Sequence, residues 1–294
     1  MFKTETAPFT FSPYIVIQGR LLEGPLYDEA RNECRFIDII DHKLYTFNPS
    51  RGPESLKAVT TQETIGVTAN IKGSTTEQIV GARHGLATLN AGTGEVNLRC
   101  NDGAVDSRGR FWVGAMNDPL LVKEDLPHGF LMRLDPDHTV HRMVDCAFAP
   151  NGIGWNSTDN IMYWTDSHPQ NIYAFDFDGD SGAISGKRVF WNSKTAGFGD
   201  DVNPDGLVVD EYDHVWTALW RGYKVVRINP QGVIVGEVCL PTAYVTCPIF
   251  VGTELVITTA RNPKVQKEGI ERGGDLYIVD VGITGPAKHE FRLQ

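Results

Sequence analysis

Ile161-Met162-Tyr163-Trp164-Thr165-Asp166, a short polar interval, then Ile172-Tyr173-Ala174-Phe175-Asp176 form two β-branched and aromatic runs that alternate in character on either side of a turn. Alternation with period two is the mark of a strand, so the stretch predicts a β-hairpin. The same unit recurs along the chain. It begins at Cys34 (to Ile40, then Leu44–Phe47), at Gln78 (to Ala82, then Gly85–Leu89), at Arg110 (to Ala115, then Gly129–Leu134), at Val215 (to Trp220, then Lys224–Ile228) and at Leu255 (to Ala260, then Asp275–Asp280). Successive units start roughly 30 to 55 residues apart, near the spacing of four-stranded propeller blades. No segment carries a sustained 3.6-residue stripe. The expected architecture is therefore all-β, a six-bladed β-propeller with four-stranded blades around a central channel, in a single domain spanning residues 1–294. A large sandwich or jelly roll is the competing architecture, but it has no reason to repeat one hairpin at near-blade spacing.

Composition narrows the function classes. With 27 Lys and Arg against 37 Asp and Glu, the net charge is −10 and the basic residues are scattered, so no nucleic-acid partner is expected. No apolar stretch approaches the length of a membrane-spanning helix and no signal-like start is present, so no membrane partner is expected either. Thirty Gly and 16 Pro lie along the whole chain, as many turns require. Five Cys, an odd number without a C-x-x-C pair, indicate neither a disulfide framework nor a thiolate zinc site, and a cytoplasmic location fits best.

Ahead of several units stands a polar residue followed at once, or after one residue, by Gly: Glu23-Gly24, Asn101-Asp102-Gly103, Asn151-Gly152 and Asp205-Gly206. The first strand of each propeller blade lines the channel, so equivalent positions of different repeats converge on one axis. Any one of these dipeptides alone reads as a plain turn. Four in register predict that Glu23, Asn101, Asn151 and Asp205 meet. Two carboxylates and two amide oxygens suit one hard divalent ion, Ca²⁺, Mg²⁺ or Mn²⁺, with Zn²⁺ also open.

These motifs carry a family resemblance. Leu22-Glu23-Gly24-Pro25, the Asn-Asp-Gly-x-Val-Asp-x-x-Gly-Arg of 101–110, Pro150-Asn151-Gly152-Ile153-Gly154-Trp155 and the Pro-Asp-Gly-Leu-x-x-Asp of 204–210 are similar to the senescence marker protein/regucalcin and gluconolactonase family. The resemblance implies a propeller that hydrolyses a small-molecule sugar lactone with one divalent metal. Glu23, Asn151 and Asp205 are then the metal ligands, Asp205 also the catalytic base, and Arg99 and Asn101 the substrate contacts. An acidic substrate contact expected after Gly114-Ala115-Met116 falls on Pro119, with Asp118 just before it as the candidate substrate-binding residue. A less hydroxylated ester, a paraoxonase- or phosphotriesterase-like substrate, is the alternative; a calcium-binding regulatory protein and an interaction platform are the others. A monomer or weak homo-oligomer is expected.

Weaker signals read structurally. Asp176–Asp180 is a hairpin turn lacking the Glu of a calcium loop; His138 and His141 are surface residues; Cys100 is a buried small hydrophobe; Trp164 and Trp220 are either core or pocket wall. No Gly-x-Ser-x-Gly elbow indicates a serine hydrolase. Residues 117–128 form a long loop beside the expected site and read as lid-like.

Overall fold

In the computed structural model, residues 12–74, 77–83, 85–86, 98–123, 126–262 and 272–293 are described. They fold as an all-β propeller of six antiparallel sheets, four with four strands and two with three. The first sheet holds β1 (Leu22–Asp28), β2 (Glu33–Asp38), β3 (Lys43–Phe47) and β4 (Lys57–Thr60); the second β5 (Ile65–Asn70), β6 (Gln78–Ala82) and β7 (Gly85–Leu86). The third holds β8 (Leu98–Val105), β9 (Phe111–Asn117), β10 (Gly129–Leu134) and β11 (Val140–Ala147); the fourth β12 (Pro150–Trp155), β13 (Ile161–Asp166), β14 (Asn171–Asp178) and β15 (Ala183–Asn192). The fifth holds β16 (Asn203–Val209), β17 (Val215–Trp220), β18 (Lys224–Ile228) and β19 (Ile234–Cys239); the sixth β20 (Val245–Val251), β21 (Glu254–Thr259) and β22 (Tyr277–Asp280).

The expectation of four strands in every sheet is corrected: the second and sixth sheets show three among the described residues. Part of the second hairpin expected from sequence, Ala87–Leu89, lies outside the described residues. The repeated hairpin is the second and third strand of each sheet, and the polar-Gly motifs sit on the first.

First strands make a closed ring. β1 packs against β5 and β20, β5 against β8, β8 against β12, β12 against β16, and β16 against β20. The segment ahead of β1 joins the sixth sheet, because Ile15 bridges Leu276 and the backbone amides of Ile17 and Gln18 donate to Asp275 Oδ1 at 2.8 and 2.9 Å. Each inner and middle strand is covered by the neighbouring sheets on both faces. That is why β10 and β17 are near-continuous apolar runs instead of alternating ones. The apolar core accordingly lies between sheets: Trp112, Met162, Trp164 and Phe175 between the third and fourth, Tyr163, Leu207, Leu219 and Val226 between the fourth and fifth.

Two buried acids pin this core. Asp106 Oδ2 accepts from Trp112 Nε1 at 2.9 Å and from Arg110 Nε at 2.6 Å. In the fifth sheet Asp210 Oδ2 accepts from Trp216 Nε1 at 2.9 Å and Arg227 Nε at 2.8 Å. The 101–110 motif thus divides: its first half belongs to the channel, and its Asp106 and Arg110 brace the sheet.

Candidate functional site

Every first strand breaks its pairing register at one place. The irregularity falls between Glu23 and Leu26, Ile65 and Val67, Cys100 and Gly103, Pro150 and Ile153, Pro204 and Leu207, and Val245 and Cys247. A β-bulge leaves a residue out of the ladder and re-aims its side chain. Six bulges at equivalent points therefore turn six positions toward one axis. Four of them carry the polar-Gly pairs; the other two carry Gly66 and Thr246. Crowding explains the glycines, since a Cβ on Gly152 would collide with the Leu207 backbone and one on Gly66 with the backbone of Cys100 and Asn101.

The expected residues are buried together at the ends of these strands. Arg99, Asn101, Asn151, Glu23 and Asp205 are each 7 % exposed or less. Arg99 Nη1 donates to Asn101 Oδ1 at 2.7 Å and to the Cys100 carbonyl at 3.0 Å. Asn101 Nδ2 donates to Asn151 Oδ1 and to the Pro150 carbonyl, both at 2.9 Å, and Asn151 Nδ2 donates to Ser167 Oγ at 2.9 Å. Glu23 Oε2 accepts from its neighbour Gly24 N at 3.2 Å. Asp205 Oδ1 is buried and has no hydrogen-bond partner among the described residues.

Burial pushes the Glu23 carboxyl well above its usual range, and the charges of Asp205 and Asp102 push the same way. Burial, then Asp102, does the same to Asp205, with the Gly206 amide and Arg99 opposing. Arg99 is drawn down by burial and held up by Asp118, Glu23, Cys100 and Asp205. Negative charge outweighs positive here. Such a pocket, with an orphaned carboxylate oxygen, fits a hard cation by its donor chemistry. Among the described residues no group of three or more His, Cys, Asp or Glu is arranged to hold a metal, so a cation at this place depends on amide oxygens as well as the two acids.

Asp118, expected to contact substrate, is fully buried at the end of β9. Its Oδ1 accepts from Leu120 N at 2.9 Å and its Oδ2 lies 3.4 Å from Arg83 Nη2. It faces arginines, Arg83 by contact and Arg99 by charge. The loop after it leaves Leu120, Leu121 and Leu126 exposed, and its residues 124 and 125 lie outside the described set.

Sequence reading passed over Asp102, although it stands within a quoted motif. Asp102 is buried, its pKa is pushed up to about 6 by desolvation, and Lys288 opposes that shift. Lys288 has no local sequence signal. It reaches this place from the C-terminal segment, which is held by Phe291 pairing with Asn70 and Lys72 and by Thr284 with Glu211. Lys288 is exposed at a cavity of about 1090 Å³ at the far ends of the first strands, lined also by Val105, Trp155, Val209 and Phe250. That cavity is distinct from the carboxylate cluster at the strands' beginnings.

The weaker readings resolve simply. Cys100 is buried with its thiol pushed up to about 12, and Asp178 turns the chain between β14 and β15. Trp164 lies in the core; Trp220 is half-buried, its ring 4.5 Å from Tyr244. His141 is a surface residue 3.2 Å from Asp135.

Residues 21–261 match the family model described as SMP-30/Gluconolactonase/LRE-like region. The chain is 31 % identical to pentonolactonase XacC of Haloferax volcanii, over 93 % of this chain and 94 % of that one. It is 29 % identical to a putative sugar lactone lactonase, YvrE, of Bacillus subtilis, over 90 % and 92 %. Among solved structures, the calcium-binding protein regucalcin of Agrobacterium tumefaciens superposes with a TM-score of 0.85 at 22 % identity, covering 96 % of this chain and 98 % of that one, which shows the shared fold.

Proposed function

Because the chain belongs to the SMP-30/gluconolactonase/LRE-like family, we propose that it is a divalent-metal-dependent lactonase that opens a cyclic ester of a sugar acid. The observation that carries this reading is the buried, net-negative meeting of Glu23 and Asp205 with the amides of Asn101 and Asn151, in a chain similar to named lactonases. Glu23, Asn151 and Asp205 would hold the ion, whether Ca²⁺, Mg²⁺, Mn²⁺ or Zn²⁺. When bound, it supplies Lewis acidity toward the ester carbonyl.

The protein's own groups supply the rest. Asp205, with one oxygen free of hydrogen-bond partners among the described residues, takes the proton of the attacking water as general base. Arg99 places positive charge beside the reacting oxygens and offsets the charge that grows on them. Asp118, beneath Arg83 and near Arg99, acts on these guanidinium groups more directly than on a substrate hydroxyl.

We read the six sheets as six blades, with the Ile15–Leu276 bridge adding a further segment to the last. Five free thiols support a reducing, cytoplasmic setting. The test is acid release from a panel of aldonolactones and aryl esters, with chelator and with each of the four ions restored. Metal-restored turnover of aldonolactones supports the proposal. Full turnover in chelator overturns the metal dependence; tight Ca²⁺ binding without turnover of any ester overturns the lactonase reading in favour of a regulatory calcium protein.

A further inference from the structure

An asparagine amide is nearly symmetric in shape, so packing alone does not decide whether its oxygen or its nitrogen faces a given neighbour; hydrogen bonding does. In this channel two groups have no choice of role. The Arg99 guanidinium can only donate, and the Pro150 carbonyl can only accept. Asn101 sits between them. The atom it turns to Arg99 must be Oδ1, at 2.7 Å, and the atom it turns to the Pro150 carbonyl must be Nδ2, at 2.9 Å.

That Nδ2 also donates to Asn151, so the Asn151 atom facing it, at 2.9 Å, must be an oxygen. The Asn151 nitrogen is then left for Ser167 Oγ, at 2.9 Å, which a hydroxyl accepts readily. The order Arg99, Asn101, Asn151, Ser167 has a single polarity, set from the arginine end. All four residues are 7 % exposed or less, so water does not compete for these positions.

We propose that Asn101 is a positioning residue: oriented by Arg99 and the Pro150 carbonyl, it fixes the Asn151 amide with its oxygen toward the carboxylate cluster. An amide oxygen has two lone pairs. One is taken by Asn101, and the other remains for a cation shared with Glu23 and Asp205. This inference rests on the reading of Asn151 as a cation ligand, and it gives Asn101 a task separate from touching substrate.

Simple charge counting and this geometry call for opposite effects in Asn101→Asp. There the introduced carboxylate keeps its bond from Arg99 but cannot donate to Asn151. Asn151 must turn its nitrogen toward that carboxylate and its oxygen toward Ser167, whose hydroxyl can donate. A further carboxylate beside the site should therefore weaken cation binding. Charge alone would strengthen it.

The experiment is calorimetric titration of Mn²⁺ into chelator-treated protein at pH 8, with far-UV circular dichroism and thermal melts to verify folding. Wild type, Asn151→Ala, Asn101→Ala and Asn101→Asp are compared. The relay predicts that Asn101→Ala binds less tightly than wild type and that Asn101→Asp binds less tightly still, at least about tenfold below wild type, the cost of one misdirected buried amide. Binding in Asn101→Asp equal to or tighter than in Asn101→Ala overturns the relay. If Asn101→Asp does not fold, unchanged affinity in Asn101→Ala overturns it alone. Should wild type bind no Mn²⁺, or Asn151→Ala bind as tightly as wild type, the fault lies in the ligand reading beneath it.

Discussion

The charge of Asp205, carried on the fifth sheet, holds the Glu23 carboxyl on the first sheet well above the ordinary range, on top of the effect of burial. Two acids brought together this way cost the folded protein stability unless a proton or a cation lies between them. Glu23→Gln and Asp205→Asn each relieve that repulsion. Lactone turnover should fall by about 10² or more in either variant, the scale expected for losing a general base or an ion ligand. The metal-free variants should melt higher than metal-free wild type at pH 8. A lower melting temperature for both would contradict the electrostatic account.

The same pair sets how metal binding depends on pH. Their folded-state pKa values lie above the unfolded ones, so this part of the metal-free protein's stability is complete below the unfolded values and is lost as pH rises through the folded ones. A cation competes with the protons. Added Ca²⁺ or Mn²⁺ should therefore raise the melting temperature more at pH 8 than at pH 5, measured by differential scanning fluorimetry. An equal rise at both pH values would exclude these carboxylates as the ligands.

Asp102 makes a separate, quantitative prediction. Its pKa moves from 3.8 to about 6 in the fold. Its contribution is intact below pH 4 and disappears between pH 4 and pH 6, a loss of about 3 kcal/mol. Asn at this position keeps the oxygen that accepts from Gly103 N at 2.7 Å and removes the charge. Asp102→Asn should be the more stable protein at pH 7.5 and indistinguishable from wild type near pH 3.5. Urea melts at the two pH values test this.

Gly152 answers to sterics alone. A methyl group there meets the Leu207 backbone nitrogen, the Gly206 carbonyl carbon and the Leu207 side chain, none of which can move without shifting β16. Gly152→Ala should cost about 1 to 3 kcal/mol, the usual penalty for overpacking. It should also depress turnover, because β16 carries Asp205. Chemical denaturation and initial rates provide both readouts.

How far these features were legible in the sequence follows from where each signal resides. The hairpins at Phe111, Ile161 and Val215 could be read because covered strands make dense apolar runs between turns. The bulge positions could be read where Glu23, Asn101, Asn151 and Asp205 mark them with a polar side chain before Gly. The same bulge in the second and sixth sheets bears Gly66 and Thr246, which look like any turn or strand residue. Thr246 is committed to the Leu22 carbonyl and Thr258. Arg83, Ser167 and Lys288 come from a loop, a strand end and the tail; only folding brings them near, so no spacing announces them. Asp102 was hidden by its own motif, where Asn101 drew the functional reading.

The bridge from Ile15 to Leu276 has a temporal meaning for synthesis. Synthesis releases Glu23 well before Asp205 and before Leu276, the partner of Ile15. The nascent first strand must wait with an acid exposed to water until the final hairpin is released. Under the proposed ligand set, cation affinity should therefore appear only once Leu276 has been made, and polypeptides stalled before it should bind no ion, however many of their sheets have formed.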